Sequence, residues 1–408
     1  MPTVKCSAAA SAARNCLPRK MFAERTNWNL APNRLSEALA RRRASGAPVL
    51  DLTASNPTEC GFRYDAESIF SALRNLAALK YQPNPKGLEV TRLAVAQYYS
   101  SLSAPVSVDD IFLTTSTSEG YSYSFRLLCN PGDELLIPAP SYPLFSFLAD
   151  ILDVKLVRYP LIYDHGWQID FHTLHAAITS RTRGVIVVNP NNPTGHFVKA
   201  REMQALNELC VKRNLAIIAD EVFLDFSLGK EKPLSFAANA EALTLTMSGL
   251  SKISGLPQMK MAWLVASGAA TLKRQAIEKL EIIADTYLSP NAPVQLATPT
   301  FLEQRRDFQD QLLARVRQNL NELDGQLGAQ SNCSRLQVEG GWYVVLRVPA
   351  TRSDEELALT LLETSGVYIH PGHFFDFPTD GFLVLSLIAT EQEFSEGVRR
   401  ILESAFSS

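Results

Sequence analysis

The chain has 408 residues, 46% of them hydrophobic, and its 39 basic against 42 acidic residues leave a formal net charge of −3 at pH 7. So small a charge provides no overall attraction to nucleic acid or to an anionic membrane, so neither is expected as a partner. The length suffices for two or three domains of roughly 150 residues each. No apolar stretch reaches the ~18 residues that a membrane span needs. The six cysteines lack CxxC or metal-site spacing, which predicts reduced thiols, no metal site and a cytoplasmic location.

The first twenty residues are rich in Ala and Ser and contain basic but no acidic side chains. This composition loosely resembles an organelle transit peptide. The preferred interpretation is a disordered tail over residues 1–20, or a true start at Met21.

From Leu50 onward, short apolar runs alternate with amphipathic stretches, which is the pattern of βαβ units around a parallel sheet. The carboxyl ends of parallel strands form the edge where α/β proteins bind ligands, so functional residues are expected there. Four runs that end at polar or Pro-containing turns are predicted as strands: Asp110–Thr115, Asp133–Pro138, Gly184–Asn189 and Leu215–Asp220.

The remaining predicted elements are helices and a second domain. Glu202–Arg213 has one apolar face and is predicted as a crossover helix on the sheet. The charged, periodic segment Leu302–Leu327 predicts one long helix that leaves the first domain. A smaller domain is predicted after it, with strands over 342–348, 367–370 and 381–387 and helices over 353–364 and 391–406.

Two predicted turns have the composition of a binding site. Thr114–Ser118 precedes a predicted helix over Glu119–Leu128, so its backbone N–H groups and hydroxyls would meet at a helix N-terminus and could bind an anion. Ser and Thr are also ordinary N-caps, which is the alternative interpretation. Asn189–Gly195 contains two Asn-Pro units directly after an apolar strand, and its side-chain amides are expected to point into a cleft.

Two further segments place charge in apolar surroundings. Asp220 and Glu221 end a predicted strand, where a carboxylate is costly unless a cation pairs with it. Lys252 follows the small residues that begin at Ser248, and it could act as a nucleophile if loss of solvent lowered its pKa. A solvated surface lysine is the usual alternative.

Three motifs occur in a characteristic order: Asn192-Pro-Thr-Gly195, Asp220-Glu-Val-Phe223 and Ser248-Gly-Leu-Ser-Lys252-Ile-Ser-Gly-Leu-Pro257. Through them the chain, from about Leu50 to its C-terminus, resembles the pyridoxal-phosphate aminotransferases of fold type I, the class I/II branch of the aspartate aminotransferase superfamily. The resemblance implies an α/β fold in which a large domain, residues 49–295, holds a mainly parallel seven-stranded sheet between helices. Residues 21–48 and 296–408 would form a smaller α+β domain.

This resemblance implies transfer of an amino group between an amino acid and a 2-oxo acid by a ping-pong mechanism. Pyridoxal phosphate would be the cofactor, bound to Lys252 as a Schiff base. The same fold and cofactor also support β-elimination, decarboxylation or cyclisation, and a cofactor-binding protein without catalysis is a third possibility. On sequence alone these alternatives stay open.

The family's motifs also imply roles for individual residues. Asp220 would pair with the pyridine nitrogen of the cofactor, and Asn192 would hydrogen-bond its ring hydroxyl. Tyr142 would stack on the ring. Ser116 and Thr117 would bind the phosphate at the helix N-terminus.

Two positions concern the neighbouring subunit and the substrate. Tyr81 matches the family's tyrosine that reaches the phosphate of the neighbouring subunit, which implies a homodimer with shared active sites. Asn56 lies where the family's N-terminal segment borders the substrate, although a turn explains it equally well.

Two cofactor-binding positions depart from the family's pattern. Phe223 replaces a tyrosine, so one hydrogen bond to the ring hydroxyl is lost and the pKa of the Schiff base should rise. Lys260 replaces an arginine that clamps the phosphate, which keeps the charge but loses the bidentate geometry.

A third departure concerns the substrate carboxylate. Val384 occupies the place of the arginine that grips it. Either another cation takes over, with Arg347 as the first candidate and His370 or His373 after it, or the substrate is not an ordinary α-amino acid. An exposed strand arginine is the alternative interpretation of Arg347.

Overall fold

A computed structural model describes residues 21–230, 233–328 and 332–404 of the protein. The predicted tail over residues 1–20 lies outside these ranges. The chain divides into two compact units, one ending at Ala31 and the other beginning at Pro32. In the first, the described residues include a turn of 3-10 helix, Glu24–Thr26.

The strands described in the second unit form three sheets. They are β1 (Leu50–Asp51), β2 (Ile111–Thr114), β3 (Glu134–Ala139), β4 (Lys155–Tyr163), β5 (Trp167–Ile169), β6 (Thr182–Val188), β7 (Ala216–Asp220), β8 (Thr244–Gly249), β9 (Ala262–Ser267), β10 (Ser334–Arg335), β11 (Tyr343–Arg347), β12 (Val367–Tyr368), β13 (His370–Pro371) and β14 (Phe382–Ser386).

Helices connect the strands and cover the sheets. They are α1 (Arg34–Ala44), α2 (Ala66–Leu73), α3 (Glu89–Ser101), α4 (Thr117–Leu128), α5 (Leu144–Ile151), α6 (Phe171–Ala176), α7 (Ala200–Arg213), α8 (Leu250–Ile253), α9 (Ala270–Tyr287), α10 (Ala292–Glu303), α11 (Arg305–Gly328), α12 (Asp354–Thr360) and α13 (Glu391–Ser404). Every helix among the described residues is too short or too polar to cross a membrane.

The large sheet has the strand order β2-β9-β8-β7-β6-β3-β4-β5. Its centre is parallel, while β9 runs antiparallel to both of its neighbours. The sheet has one strand more than predicted, because the chain reverses at His165 and Gly166, both with positive φ, and β5 pairs with β4 as a hairpin. The fold is the predicted α/β architecture with a second, smaller sheet region.

The central strands are apolar on both faces because helices cover both sides of the sheet. In β7, residues Ala216–Ala219 are all buried. Asp220, the last residue of the strand, is partly exposed. In register, Asp220 lies beside Val188 at the end of β6 and beside Met247 near the end of β8. Three parallel strands therefore end together, and the residues that follow them share one edge.

The smaller sheet has the order β10-β11-β14-β13, and β1 pairs with β12 separately. The long helix predicted over Leu302–Leu327 is wrong in one respect. Helix α11 covers most of this range but begins at Arg305, and Leu302 belongs to α10; the two helices are separated at Gln304, beside which the Arg305 guanidinium donates to the Leu302 carbonyl. The domain boundaries at 48/49 and 295/296 stay a prediction.

Candidate active site

A cavity of about 320 Å³ lies at the edge where β6, β7 and β8 end. The N-terminus of α4, the loop after β3 and the first residue of β11 complete its wall. Seven residues predicted from the sequence line it: Ser116, Thr117, Tyr142, Asn192, Asp220, Phe223 and Lys252. The fold therefore brings together most of the predicted site from segments far apart in the chain.

Lys252 lies in α8, which begins directly after β8. A Cβ at Gly249 would lie 2.8 Å from the Cβ of Ala262, so the glycine allows the strand to turn into the helix against β9. The Lys252 Nζ lies 4.8 Å from the ring centre of Trp342 and 5.7 Å from that of Phe223. Burial lowers the pKa of Lys252 to about 8, although the Asp220 carboxylate acts in the opposite direction. Roughly a tenth of the amine is thus neutral and nucleophilic at pH 7, far more than for a solvated lysine.

Asp220 ends β7 with its carboxylate in the cavity. Burial raises the pKa of Asp220, while hydrogen bonds from the Val222 N–H at 3.1 Å and the Tyr121 hydroxyl at 2.9 Å lower it, as does Lys252. Sequence analysis missed Tyr121. The helical spacing of the sequence indicates this residue, because Tyr121 follows Thr117 by four residues and so shares its face of α4. An anionic carboxylate held here favours a cation in the cavity.

The N-terminus of α4 forms one end of the cavity. Ser116 is the N-cap, and its hydroxyl accepts a hydrogen bond from the Glu119 N–H at 3.2 Å. The Glu119 carboxylate accepts bonds from the Thr115 N–H and hydroxyl at 2.6 and 3.0 Å, which fixes the turn. The serine therefore caps the helix, as the alternative interpretation has it, and Ser116, Thr117 and Ser118 also line the cavity. Binding of an anion at this helix N-terminus stays a prediction.

The loop after β6 uses its asparagines in different ways. The Asn189 side-chain amide donates to the Leu234 carbonyl and accepts from the Val198 N–H, and the side-chain oxygen of Asn191 accepts from the Thr194 hydroxyl. Asn192 lines the cavity, and its Oδ1 is buried without a hydrogen-bond partner among the described residues. The expectation that the amides as a group point into a cleft is thus corrected to Asn192.

Glu221 points away from the cavity, because successive residues of a strand face opposite sides. Its carboxylate accepts hydrogen bonds from the Ser235 hydroxyl at 2.7 Å and the Phe236 N–H at 2.6 Å. Burial still raises the pKa of Glu221 to about 7. Of the two acidic residues at the strand end, one faces the cavity and the other fixes the neighbouring loop.

Arg347 does not reach the cavity, which corrects its predicted role. Its guanidinium lies over the rings of Tyr163, at 5.7 Å, and Phe382, at 5.9 Å. Tyr343, which does line the cavity, is four residues earlier on β11, or ~13 Å along a strand. Arg347 is the exposed strand arginine of the alternative interpretation.

Three other predicted residues lie outside the cavity lining. Asn56 caps a 3-10 turn by accepting from the Thr58 N–H and hydroxyl, and it lines an adjoining opening that also reaches Lys252. Lys260 is exposed and ends the turn Pro257–Met259 with φ of 51°. Tyr81 is 76% exposed. Their predicted roles as ligands stay predictions.

The chain is similar to known proteins over most of its length. The model of the family described as aminotransferase class I and II matches residues 49–401. The glutamate-pyruvate aminotransferase AlaA of Escherichia coli (strain K12) is 30% identical over 356 residues, which cover 85% of this chain and 88% of that protein. The alanine aminotransferase of Mycobacterium tuberculosis (strain H37Rv) is 28% identical, covering 89% and 86%. A crystal structure of an aminotransferase from Escherichia coli aligns with a TM-score of 0.83 and 27% identity, over 92% of this chain and 95% of that one.

Proposed function

Because the chain belongs to the class I and II aminotransferases and is a transaminase, we propose that it uses pyridoxal phosphate in the cavity at Lys252 to exchange an amino group between an amino acid and a 2-oxo acid. One observation carries this proposal: the Lys252 amine, the Asp220 carboxylate and the N-terminus of α4 meet in a single cavity. We propose the cytoplasm as its location, since the described cysteines are free thiols.

The chemistry of the lining fits this cofactor. The N-terminus of α4 suits a phosphate, and the carboxylate of Asp220 suits a protonated pyridine nitrogen. The Asn192 amide, with an unpartnered oxygen, is available to the ring hydroxyl. Tyr142, at the mouth and 45% exposed, offers a ring face for stacking.

When bound, pyridoxal phosphate supplies an aldehyde that takes up the amino group and a ring that accepts electrons from the bond broken at the substrate carbon. Lys252 Nζ can hold or release a proton near neutral pH, so we assign it the transfer of the substrate's Cα proton. Asp220, oriented by Tyr121, would pair with the ring nitrogen, and a protonated nitrogen there would favour the anionic form of the carboxylate. The rings of Phe223 and Trp342 lie beside the amine and contribute to its burial.

We also propose a homodimer. Leu76 and Leu79 are each 85% exposed, and Tyr81 follows them on the same stretch of chain. Large apolar side chains exposed together are typical of an interface between proteins. Since Tyr81 is absent from the cavity lining of its own chain among the described residues, its predicted phosphate contact requires a second copy.

The first experiment follows the visible absorbance of the purified protein loaded with pyridoxal phosphate. Glutamate and alanine are the first donors to add, because the relatives are named for glutamate–pyruvate and alanine transamination. We expect a donor to change the absorbance and to release its 2-oxo acid. A protein that binds the cofactor but releases no oxo acid from any donor would contradict the proposal.

Lys252→Ala is expected to abolish covalent attachment of the cofactor and all transfer, because Lys252 is the one amine among the described lining residues. In the wild type, attachment to the apoprotein should speed up as the pH rises through about 8, where half of the amine is neutral, and level off above that once the amine is fully neutral. Lys279→Ala, at an exposed position of α9, is the control and should match the wild type. Unchanged attachment in Lys252→Ala would identify another lysine as the anchor.

A further inference from the structure

The helix that carries Lys252 is too short to satisfy its own backbone. α8 has four residues, Leu250–Ile253, and the last four carbonyl groups of any helix have no partner within it. The helical partner of the Ile253 carbonyl would be residue 257, which is Pro257 and has no N–H. The turn that follows bonds the Gly255 N–H to the Lys252 carbonyl at 3.2 Å. The position of the lysine therefore depends on contacts from outside the helix.

Two side chains from distant segments bind carbonyls of this turn. The Gln309 amide, in α11, donates to the Ile253 carbonyl at 3.0 Å. The Tyr64 hydroxyl donates to the Gly255 carbonyl at 2.9 Å. Gln309 is 3% exposed, so its bond is shielded from water. Both bonded carbonyls lie within three residues of Lys252 along the chain.

Phe308, next to Gln309 on α11, packs against the same turn. Its ring stacks on that of Tyr64, with centres 5.8 Å apart and planes inclined by 18°. A Cβ at Gly255 would lie 2.5 Å from the Phe308 ring, and Gly255 has φ of 64°, so both the close approach and the backbone conformation require glycine. We call Tyr64, Phe308 and Gln309 the brace of α8.

The brace is anchored on both of its sides. The Gln309 amide also bonds the buried carboxylate of Asp225, and an amide nitrogen has two N–H donors, so it can hold both partners. On the other side, the Gln311 side chain of α11 accepts from the Arg63 N–H and donates to the Arg63 carbonyl, each at 3.0 Å. The backbone beside Tyr64 is therefore fastened to the helix that carries the rest of the brace.

We propose that Tyr64 and Gln309 are positioning residues for Lys252. Neither is among the described residues that line the cavity, so each acts through the backbone of α8. This inference rests on the proposed function, in which the Lys252 amine transfers the substrate's Cα proton. Such a transfer needs an approach of about 3 Å between the heavy atoms, and a misplacement of ~1 Å can cost about 100-fold in rate.

Amide hydrogen exchange of the apoprotein tests whether the brace fixes α8, without cofactor or turnover. Mass spectrometry follows the peptide that contains residues 250–256. The variants are Tyr64→Phe, which keeps the stacked ring, and Gln309→Met, which keeps the length of the side chain. Loss of one hydrogen bond should speed exchange of the Ser254 and Gly255 amides by about 2- to 10-fold. Exchange as slow as in the wild type in both variants overturns the inference.

Tyr159→Phe is the matched control. It also removes a bond from a tyrosine hydroxyl to a backbone carbonyl, that of Ile186 at 2.8 Å, but this bond joins β4 to β6. We expect it to leave exchange in α8 unchanged. Tyr64→Phe decides the matter alone if Gln309→Met folds poorly, because it removes a single hydroxyl group.

Kinetics of the holoenzyme test whether the fixed position matters for the chemistry. With a donor that the wild type accepts, both variants should lower kcat by roughly tenfold and keep KM within about threefold, because a displaced amine affects proton transfer and not donor binding. Unchanged kcat in both variants, or a loss no larger than that in Tyr159→Phe, overturns the inference.

An isotope effect locates the loss in the reaction. The ratio of kcat between donors with hydrogen and with deuterium on Cα should be at least as large in Tyr64→Phe as in the wild type. A smaller ratio would place the loss in another step and contradict the assigned role. If the wild type transfers no amino group, the proposed function fails, while the exchange rates still decide whether the brace fixes α8.

Discussion

Tyr121 connects α4 to the acidic group of the cavity. Its hydroxyl donates to Asp220 Oδ2 at 2.9 Å, and both residues line the cavity. A hydrogen bond to a charged group is worth about 1.5–3 kcal/mol, so its loss should weaken the hold on the carboxylate. Tyr121→Phe is therefore expected to lower kcat by roughly tenfold or more, measured with a saturating donor.

Tyr99→Phe is the matched control for this substitution. Tyr99 is also buried and makes one hydrogen bond, from the Trp263 indole N–H at 3.1 Å, but it lies outside the cavity lining. The control should lose stability by about 1 kcal/mol in urea unfolding and keep its kcat. Equal kcat in Tyr121→Phe and the wild type would reduce Tyr121 to a packing residue.

For Arg347 we predict that replacement hardly affects substrate binding. Its guanidinium contacts two aromatic rings, and a contact of this kind at an exposed site is worth about 0.5–1 kcal/mol. Arg347→Ala should therefore lower the free energy of unfolding by about that amount and leave KM for carboxylate donors within about threefold. A tenfold rise in KM with normal folding would restore Arg347 as a substrate ligand.

At the scale of elements, a buried charged cluster joins the loop after β6 to the segment before β11. His196 Nε2 lies 3.1 Å from a carboxylate oxygen of Glu202 at the start of α7. Its Nδ1 lies 3.7 Å from Glu339, which also accepts from the Phe197 N–H at 3.0 Å. Asn192 belongs to the first segment, and Tyr343 follows the second. The cluster therefore fixes two parts of the cavity wall against each other.

This cluster predicts a pH dependence of stability. Although burial opposes it, the two carboxylates raise the pKa of His196, so its stabilisation is complete below about pH 6.5 and is lost as the pH rises through the raised value. Burial also opposes the effect on Glu339, but His196 and Lys199 lower its pKa to about 2. The Glu339 contribution is present above about pH 4.5 and is lost only in strong acid.

His196→Gln should therefore cost about 1–3 kcal/mol of unfolding free energy at pH 6, and less at pH 9. The measurement is urea unfolding at both pH values. The exposed His172→Gln serves as the control and should cost little at either pH. A cost in His196→Gln that is independent of pH would mean that the imidazole is neutral in the fold.

At the scale of the whole molecule, the exposed leucines before Tyr81 predict the oligomeric state. Leu79→Glu places a charge in the proposed interface, and it should shift the protein to monomers and lower its activity, because Tyr81 would lose its place in the partner's site. Sedimentation velocity gives the mass. Val211→Glu, at a 60% exposed apolar position of α7, is the control and should leave the mass unchanged.

Local patterns predicted much of this molecule because they depend on residues close in sequence. The apolar runs that end at Asp220 and Asn189 predicted β7 and β6, and the Ser/Thr segment predicted the start of α4. Patterns of this kind could not predict β5, since a hairpin depends on backbone reversal at His165. They also missed the break at Gln304 between α10 and α11, because the helical pattern of the sequence continues across it.

The sequence by itself determined the family, the α/β architecture and the main candidate residues, because spaced motifs and hydrophobic periodicity are properties of the linear chain. Only the tertiary structure decided which side chains share a cavity. It directed Asn192 inward while Asn189 and Asn191 bond to the loop, and it separated Arg347 from the cavity. The physical reason is that burial, charge and hydrogen bonding at a site depend on residues that come together only on folding.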